Sequence, residues 1–280
     1  MDHTDIFSTL LSEFPLALYG SILVGVTCAF LGVTIVAKRV VFLGAVLTQV
    51  SVLGLAVTFL PWFAVPHTVG SLVFVLVSVV ILSRMLTGKK IPRDAVLGVV
   101  FASSVAARIL ILQKAKKVEV SEIENLLRGD ILFVTPELFY LMLGAFVVGM
   151  GVYLLFFKEF SFIAFDAETA AAQGYRAGRW ELAFYLLAGT LIAFATHMVG
   201  DLLVFGFLVL PSVTALLLTH RVAMVFAVAV VIGALAPVAG LYLAFRLDLP
   251  SSPAIVGVAF LILVVVWLQA AVRGRKTGIS

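Results

Sequence analysis

The sequence predicts an all-α, polytopic membrane protein with about nine transmembrane helices, within a range of eight to ten. Composition is the first reason: 63% of the 280 residues are hydrophobic, only 12% are charged, and the mean hydropathy is +1.21. A soluble domain of this length has too little interior to bury so much apolar surface. The second is segmentation, because long apolar stretches recur between short polar connectors. The third is the placement of Lys and Arg, which concentrate in alternate connectors.

A span needs about 20 mainly apolar residues to cross roughly 30 Å of hydrocarbon. Segments that meet this lie at about 14–36, 40–60, 68–86, 95–112, 135–157, 180–198, 201–219, 223–245 and 253–272. They form one transmembrane domain over residues 1–280. With the N-terminus outside, 13 of the 19 Lys and Arg residues fall in the cytoplasm, five fall outside, and Arg108 lies inside a span. That bias puts the C-terminus in the cytoplasm. The opening "MDHTDIFSTLLS" (1–12) has acids and no Lys or Arg, the opposite of a secretory leader, so the first apolar segment is expected to remain as a span. Cys28 is the single cysteine and reads as a small packing residue. The net charge of +4 comes from cations scattered among connectors, not from a basic face, which excludes a nucleic-acid partner.

Two connectors have features of their own. "FDAETAAAQGYRAGRW" (165–180) is Ala-rich, with Asp166 placed as an N-cap and Gly174 as a helix stop, and reads as a short cytoplasmic surface helix. It is either an ordinary amphipathic connector or a small-residue face that docks in a groove of another protein. "IENLLRGDILFVTPELF" (123–139) reads as an external re-entrant or surface helix that enters the fifth span through Pro136.

Ionisable residues at lipid depth are costly unless paired or facing water, so each is a candidate for function. His197 and Asp201, in "ATHMVGDLLVFGFLVLP" (195–211), share a helical face if the helix continues, whereas Gly200 between them allows a break. They form either a cation or proton site at a pathway mouth, or a structural hydrogen bond. Arg108, one turn from the outer end of the fourth span, either snorkels to headgroups or pairs with Asp201. Thr48 and Gln49, near the middle of the second span, are expected to join helices. His3 lies in a terminal tail, His67 in an outer loop after Pro66, and His220 at a cytoplasmic helix end, none at metal-ligand spacing from another His. No G-x-x-x-x-G-K-[ST] phosphate loop and no nucleophile–base constellation occurs, so the chain is expected to have no enzymatic activity of its own.

Six segments in order resemble the permease subunit of ATP-binding-cassette metal importers of the zinc, manganese and iron branch. They are "FLGVTIVAKRVVFLGAVLTQVSVLGLA" (30–56), "KKIPRDAVLGVVFAS" (89–103), "LLRGDILFVTPELF" (126–139), "FDAETAAAQG" (165–174), "VGDLLVFGFLVLPSVTALLL" (199–218) and "LDLPSSPAIV" (247–256). The resemblance implies a multi-pass protein of a bacterial or archaeal inner membrane that acts as a homodimer. It also implies cytoplasmic cassette ATPase subunits that bind the ATP, no cofactor in this chain, and an extracytoplasmic binding protein that delivers substrate. Asp166, Glu168 and Gly174 match the family's ATPase-coupling motif. The second helix departs from it. Where the family usually carries G-D-x-x-S-H-A, this chain has Gly44, Ala45, Thr48 and Gln49, so both ionisable ligands are replaced and Gln49 offers only a weak neutral oxygen. Arg108 stands where the family has a small residue. The expectation is therefore a divalent-metal permease in which His197 and Asp201 replace the missing pair as a gate. A permease for a metal chelate or other organic substrate, and a non-transporting scaffold that binds the ATPase, are the alternatives.

Overall fold

The computed structural model describes residues 12–60, 65–86, 91–114, 131 and 134–277, and the regular elements among them are helical. In chain order these are α1 (Pro15–Ala37), α2 (Phe42–Thr58), α3 (His67–Leu86), α4 (Arg93–Leu112), α5 (Pro136–Leu155), α6 (Phe157–Phe165), α7 (Ala167–Ala172), α8 (Ala177–Val199), α9 (Asp201–Leu218), α10 (Val222–Leu247) and α11 (Ser251–Thr277). Eight of them are long and apolar enough to cross a bilayer. The ninth apolar helix, α2, has 17 residues, or roughly 25 Å of rise. It is buried against other helices along most of its length, so a helix slightly shorter than the bilayer core is sheltered by its neighbours.

Two short helices, α6 and α7, follow the fifth span. The chain breaks at Phe156 (φ −110°, ψ 26°), and α6 turns Phe160 and Ile163 into the core instead of prolonging α5. The expected surface helix over 123–139 falls largely outside the described residues. Its last part is visible: Thr135 caps α5, its hydroxyl oxygen accepting the Leu138 N–H at 3.3 Å, and Pro136 occupies the first turn, where no donor is required.

Helix α1 is the centre of the bundle and packs on α9 and α10. Glycines permit that approach. A Cβ on Gly25 would strike the carbonyl oxygen of Gly233, and one on Gly32 would strike that of Leu208. Small residues bring helices close where no hydrophobic effect drives association in lipid. The Ser212 hydroxyl then reaches across to donate to the Ala29 carbonyl at 3.1 Å. Helix α8 lies antiparallel to α3, with Gly189 against Val75 and Val79. Tyr153 on α5 shares a 2.5 Å hydrogen bond with Thr34 on α1 amid Phe30, Phe160 and Phe184. By contrast α4, α5 and α11 leave apolar rows exposed, such as Val147, Val148 and Leu154, or Phe260, Leu261 and Trp267, as lipid-facing or subunit-facing surfaces do.

The alternation of helix direction gives the bundle two ends. One carries the α1–α2 turn, the segment between α5 and α8, and most of the described cations. The other carries His67, the α8–α9 junction and Asp248.

Candidate functional site

The α8–α9 junction is a sharp break. Gly200 has φ +83° and ψ 169°, a conformation that favours glycine, and it ends α8 after Val199 and starts α9 at Asp201. His197 and Asp201 therefore sit on two different helices and do not share one continuous helical face.

Asp201 turns toward α2. Its Oδ2 accepts a hydrogen bond from Gln49 Nε2 at 2.6 Å, and Gln49 Oε1 accepts from Arg108 Nη1 at 2.9 Å. Both polar ends of one amide are used, donor to the carboxylate and acceptor to the guanidinium, which fixes its flip. Opposite charges on α4 and α9 are thus linked through a neutral residue of α2. All three side chains are half-buried, and the Arg108 Nε is buried without a partner. Of the two expectations for Arg108, the pairing one describes the geometry, with Gln49 as the intermediary. Thr48, next to Gln49, bonds only locally, donating to the Ala45 carbonyl at 2.9 Å.

His197 points elsewhere. It is 8% exposed, its Nε2 has no hydrogen-bond partner, and it lines a cavity of about 10 Å³ with Ser51, Val52, Leu55 and Thr196. Close by, His67 is the first residue of α3 rather than a loop residue. Its Nδ1 lies 2.6 Å from the Thr58 hydroxyl and its ring stacks on Phe59 at 4.3 Å. Pro66 before it is the signal in the sequence that marks this helix start. Among the described residues no three His, Cys, Asp or Glu side chains converge as a metal cluster.

At the opposite end, the Lys38 ammonium after α1 donates to Glu181 on α8 at 3.0 Å, and it is 5% exposed. Burial lowers the pKa of Lys38 from its ordinary value, and the charge and hydrogen bond of Glu181 oppose that shift. Asp166 caps α7 by accepting the Thr169 N–H at 3.0 Å, and Gly174 has φ +88° beyond its end, as expected from the residue types. Hydrogen bonds from Thr169 lower the pKa of the Asp166 carboxyl. Glu168 lies in α7, and its side chain is outside the described part. The Lys38–Glu181 pair escapes sequence reasoning, because 143 residues separate its members and only packing of α1 on α8 joins them.

The sequence that folds into this bundle matches the model of the ABC 3 transport family over residues 13–270. The chain belongs to the ABC 3 transport family. It is similar to the "Probable iron transport system membrane protein" of Haemophilus influenzae, 27% identical over 254 residues that cover 91% of this chain and 89% of the relative. It is also similar to the "Manganese transport system membrane protein MntC" of Listeria monocytogenes, 25% identical over 258 residues, 92% of this chain and 91% of the relative. Among solved structures, PsaBC from Streptococcus pneumoniae in complex with Fab superposes with a TM-score of 0.83 at 22% identity, covering 94% of this chain and 95% of that one. At that identity the likeness shows the fold alone.

Proposed function

We propose that this chain is the membrane-spanning permease subunit of an ATP-driven importer for a divalent metal ion. It would work as a homodimer on two cytoplasmic cassette ATPases, in a bacterial or archaeal plasma membrane, and receive substrate from an extracytoplasmic binding protein. The observation that carries this reading is the family match over nearly the whole chain, joined to the names of relatives that transport iron and manganese. The orientation rests on the cation bias, which puts Lys38 and α7 inside and His67 and Asp201 outside. Asp166, Glu168 and Gly174 would then meet the ATPase. Closure of the nucleotide-bound subunits would rock the spans as rigid bodies and expose the substrate path to each side in turn. The chain itself carries no phosphate chemistry.

The test is the reconstituted complex with its ATPase and binding protein in proteoliposomes, challenged with Fe2+, Mn2+ and Zn2+. ATP-dependent accumulation of one of these ions supports the reading, and none across the panel overturns it. Orientation has its own measurement. Ala172→Cys is exposed in the connector while native Cys28 is 1% exposed, so an impermeant thiol reagent applied to intact cells should leave the variant unmodified. Modification from outside inverts the topology.

A second reading, a permease for an anionic metal chelate, is favoured by Arg108. A guanidinium tied to Gln49 near the outer end repels a bare cation and attracts carboxylate or phenolate donors of a chelate. Uptake of a chelate, with no uptake of the free ions, would select it.

A further inference from the structure

The polar link of Arg108, Gln49 and Asp201 leaves His197 unexplained. A buried imidazole nitrogen with no partner costs free energy in an apolar bundle, and it does not stand alone. Thr196 Oγ1, on the adjacent residue and 4% exposed, is also buried and unpartnered, although a helical threonine can usually donate to the carbonyl one turn back. Both residues line the same cavity of about 10 Å³, whose other walls, Ser51, Val52 and Leu55, belong to α2. The volume is about that required by one water-sized occupant. Two orphaned polar atoms at one small cavity specify an occupant that interacts with lone pairs.

His67 belongs to the same neighbourhood. Gly189 of α8 lies level with Val75 and Val79 of α3, and the two helices run antiparallel. From that level, eight residues of α8 lead to His197 and eight to twelve of α3 lead back to His67, so both rise roughly 12–18 Å toward the same end. The α2 residues Ser51, Leu55 and Thr58 lie on one stripe. Ser51 bonds Ser71 of α3 at 2.7 Å, Leu55 lines the cavity, and Thr58 holds His67.

The Thr58 contact also sets the tautomer. Its hydroxyl has one hydrogen, which it donates to the Leu55 carbonyl at 2.7 Å, so the 2.6 Å contact is His67 Nδ1–H donating to Thr58. Neutral His67 then keeps its lone pair on Nε2. A histidine whose second nitrogen is anchored by a hydrogen bond is the arrangement that orients imidazole toward a metal.

We propose that His67 Nε2 and His197 Nε2, with the Thr196 hydroxyl as an auxiliary oxygen, form a bis-imidazole loading site for a borderline divalent transition metal at the outer end of the permease. His67 is exposed and His197 is buried, so an ion delivered from outside would exchange water for imidazole in two steps. Imidazole donors suit Fe2+ and Zn2+ better than Mn2+, which prefers carboxylate and water. Its donors lie on α3 and α8 and do not include Gln49 or Asp201, and it deepens the divalent-metal reading on which it rests.

The test uses the full chain in lipid nanodiscs. The chain has four histidines, so His3→Asn and His220→Asn give a background with only His67 and His197. Cu2+ is bound as a spectroscopic probe, and electron spin-echo envelope modulation counts the coordinated imidazoles. Two are expected in the background, and one after either His67→Asn, which retains an amide for Thr58, or His197→Gln. Zn2+ affinity should fall at least about tenfold in each. One imidazole or none in the background, or a Zn2+ affinity that neither single variant lowers, overturns the site. Because the count is made on the folded background protein, it stands even if one variant fails to fold. Failure of this site and failure of the transport reading are separable. Metal uptake by the unaltered complex with no bis-imidazole signal sinks only the site, whereas a signal without uptake of any free ion sinks the transport reading.

Discussion

Replacing Gln49 with Leu would cut both hydrogen bonds that join Arg108 to Asp201 while keeping a side chain of similar bulk. Each bond has a charged partner, which in soluble proteins contributes about 1.5–3 kcal/mol. Between membrane helices, measured couplings are smaller, averaging about 0.6 kcal/mol with a maximum near 1.7. The three side chains are half-buried, so water reaches the vacated groups and the membrane figures apply. The expected loss is about 1–3 kcal/mol for the two bonds together. The measurement is reversible unfolding of the chain in mixed micelles, in a double-mutant cycle with Asp201→Ala. A coupling of about 0.5–1.7 kcal/mol is expected between the two positions. Strict additivity, with a single-variant loss under about 0.3 kcal/mol, would show that the link carries no energy and that Gln49 does not hold α2 to α9.

Three further outcomes follow from the packing. Gly32→Ala should destabilise by about 1–3 kcal/mol or more, because the new methyl meets the Leu208 carbonyl and lies 2.5 Å from Ser212 Oγ, whereas Gly98→Ala, with open space around it, should not; thermal midpoints of the two variants make the comparison. Glu181→Gln leaves Lys38 charged and buried, at a cost of about 3 kcal/mol, and Lys38→Met with Glu181→Leu should recover most of it. In Glu181→Gln the depressed pKa of Lys38 makes the sign definite: the penalty is full below the folded pKa and is relieved as pH rises toward the ordinary 10.5, so unfolding midpoints should climb over that interval. For Asp166 the slope has the same sign but lies in the acid range. Its lowered carboxyl pKa means the cap is fully made above the ordinary carboxylate value and is lost as pH falls through the lower folded one, so exchange protection of the Thr169 amide should hold from pH 8 to 5, survive Asp166→Asn and vanish in Asp166→Ala.

The membrane class, the span positions and the short helix after Asp166 were legible because each depends on local chemistry. Apolar length sets a span, an Asp side chain satisfies a free N–H at a helix start, and a glycine accepts positive φ at its end. The relation of His197 to Asp201 was legible only as an alternative. Four residues of spacing bring two side chains together on a continuous helix, but Gly200 interrupts that helix and each side chain follows its own. His67 was read as a loop histidine because Pro66 marks either a loop or a helix start, and packing of α3 on α2 selects the helix.

Read alone, the sequence determined the all-α membrane bundle and the departure of Ala45 and Gln49 from the family's acidic and imidazole pair, since both follow from residue type and order. Only the tertiary structure decided which polar groups meet: Asp201 with Gln49 and Arg108, Lys38 with Glu181, and His197 with Thr196 at one small cavity. The physical reason is that side-chain partnership in a bundle depends on helix rotation and axial register. Those are set by glycine-permitted contacts such as Gly25 on Gly233 and Gly189 on Val75, which join residues far apart along the chain.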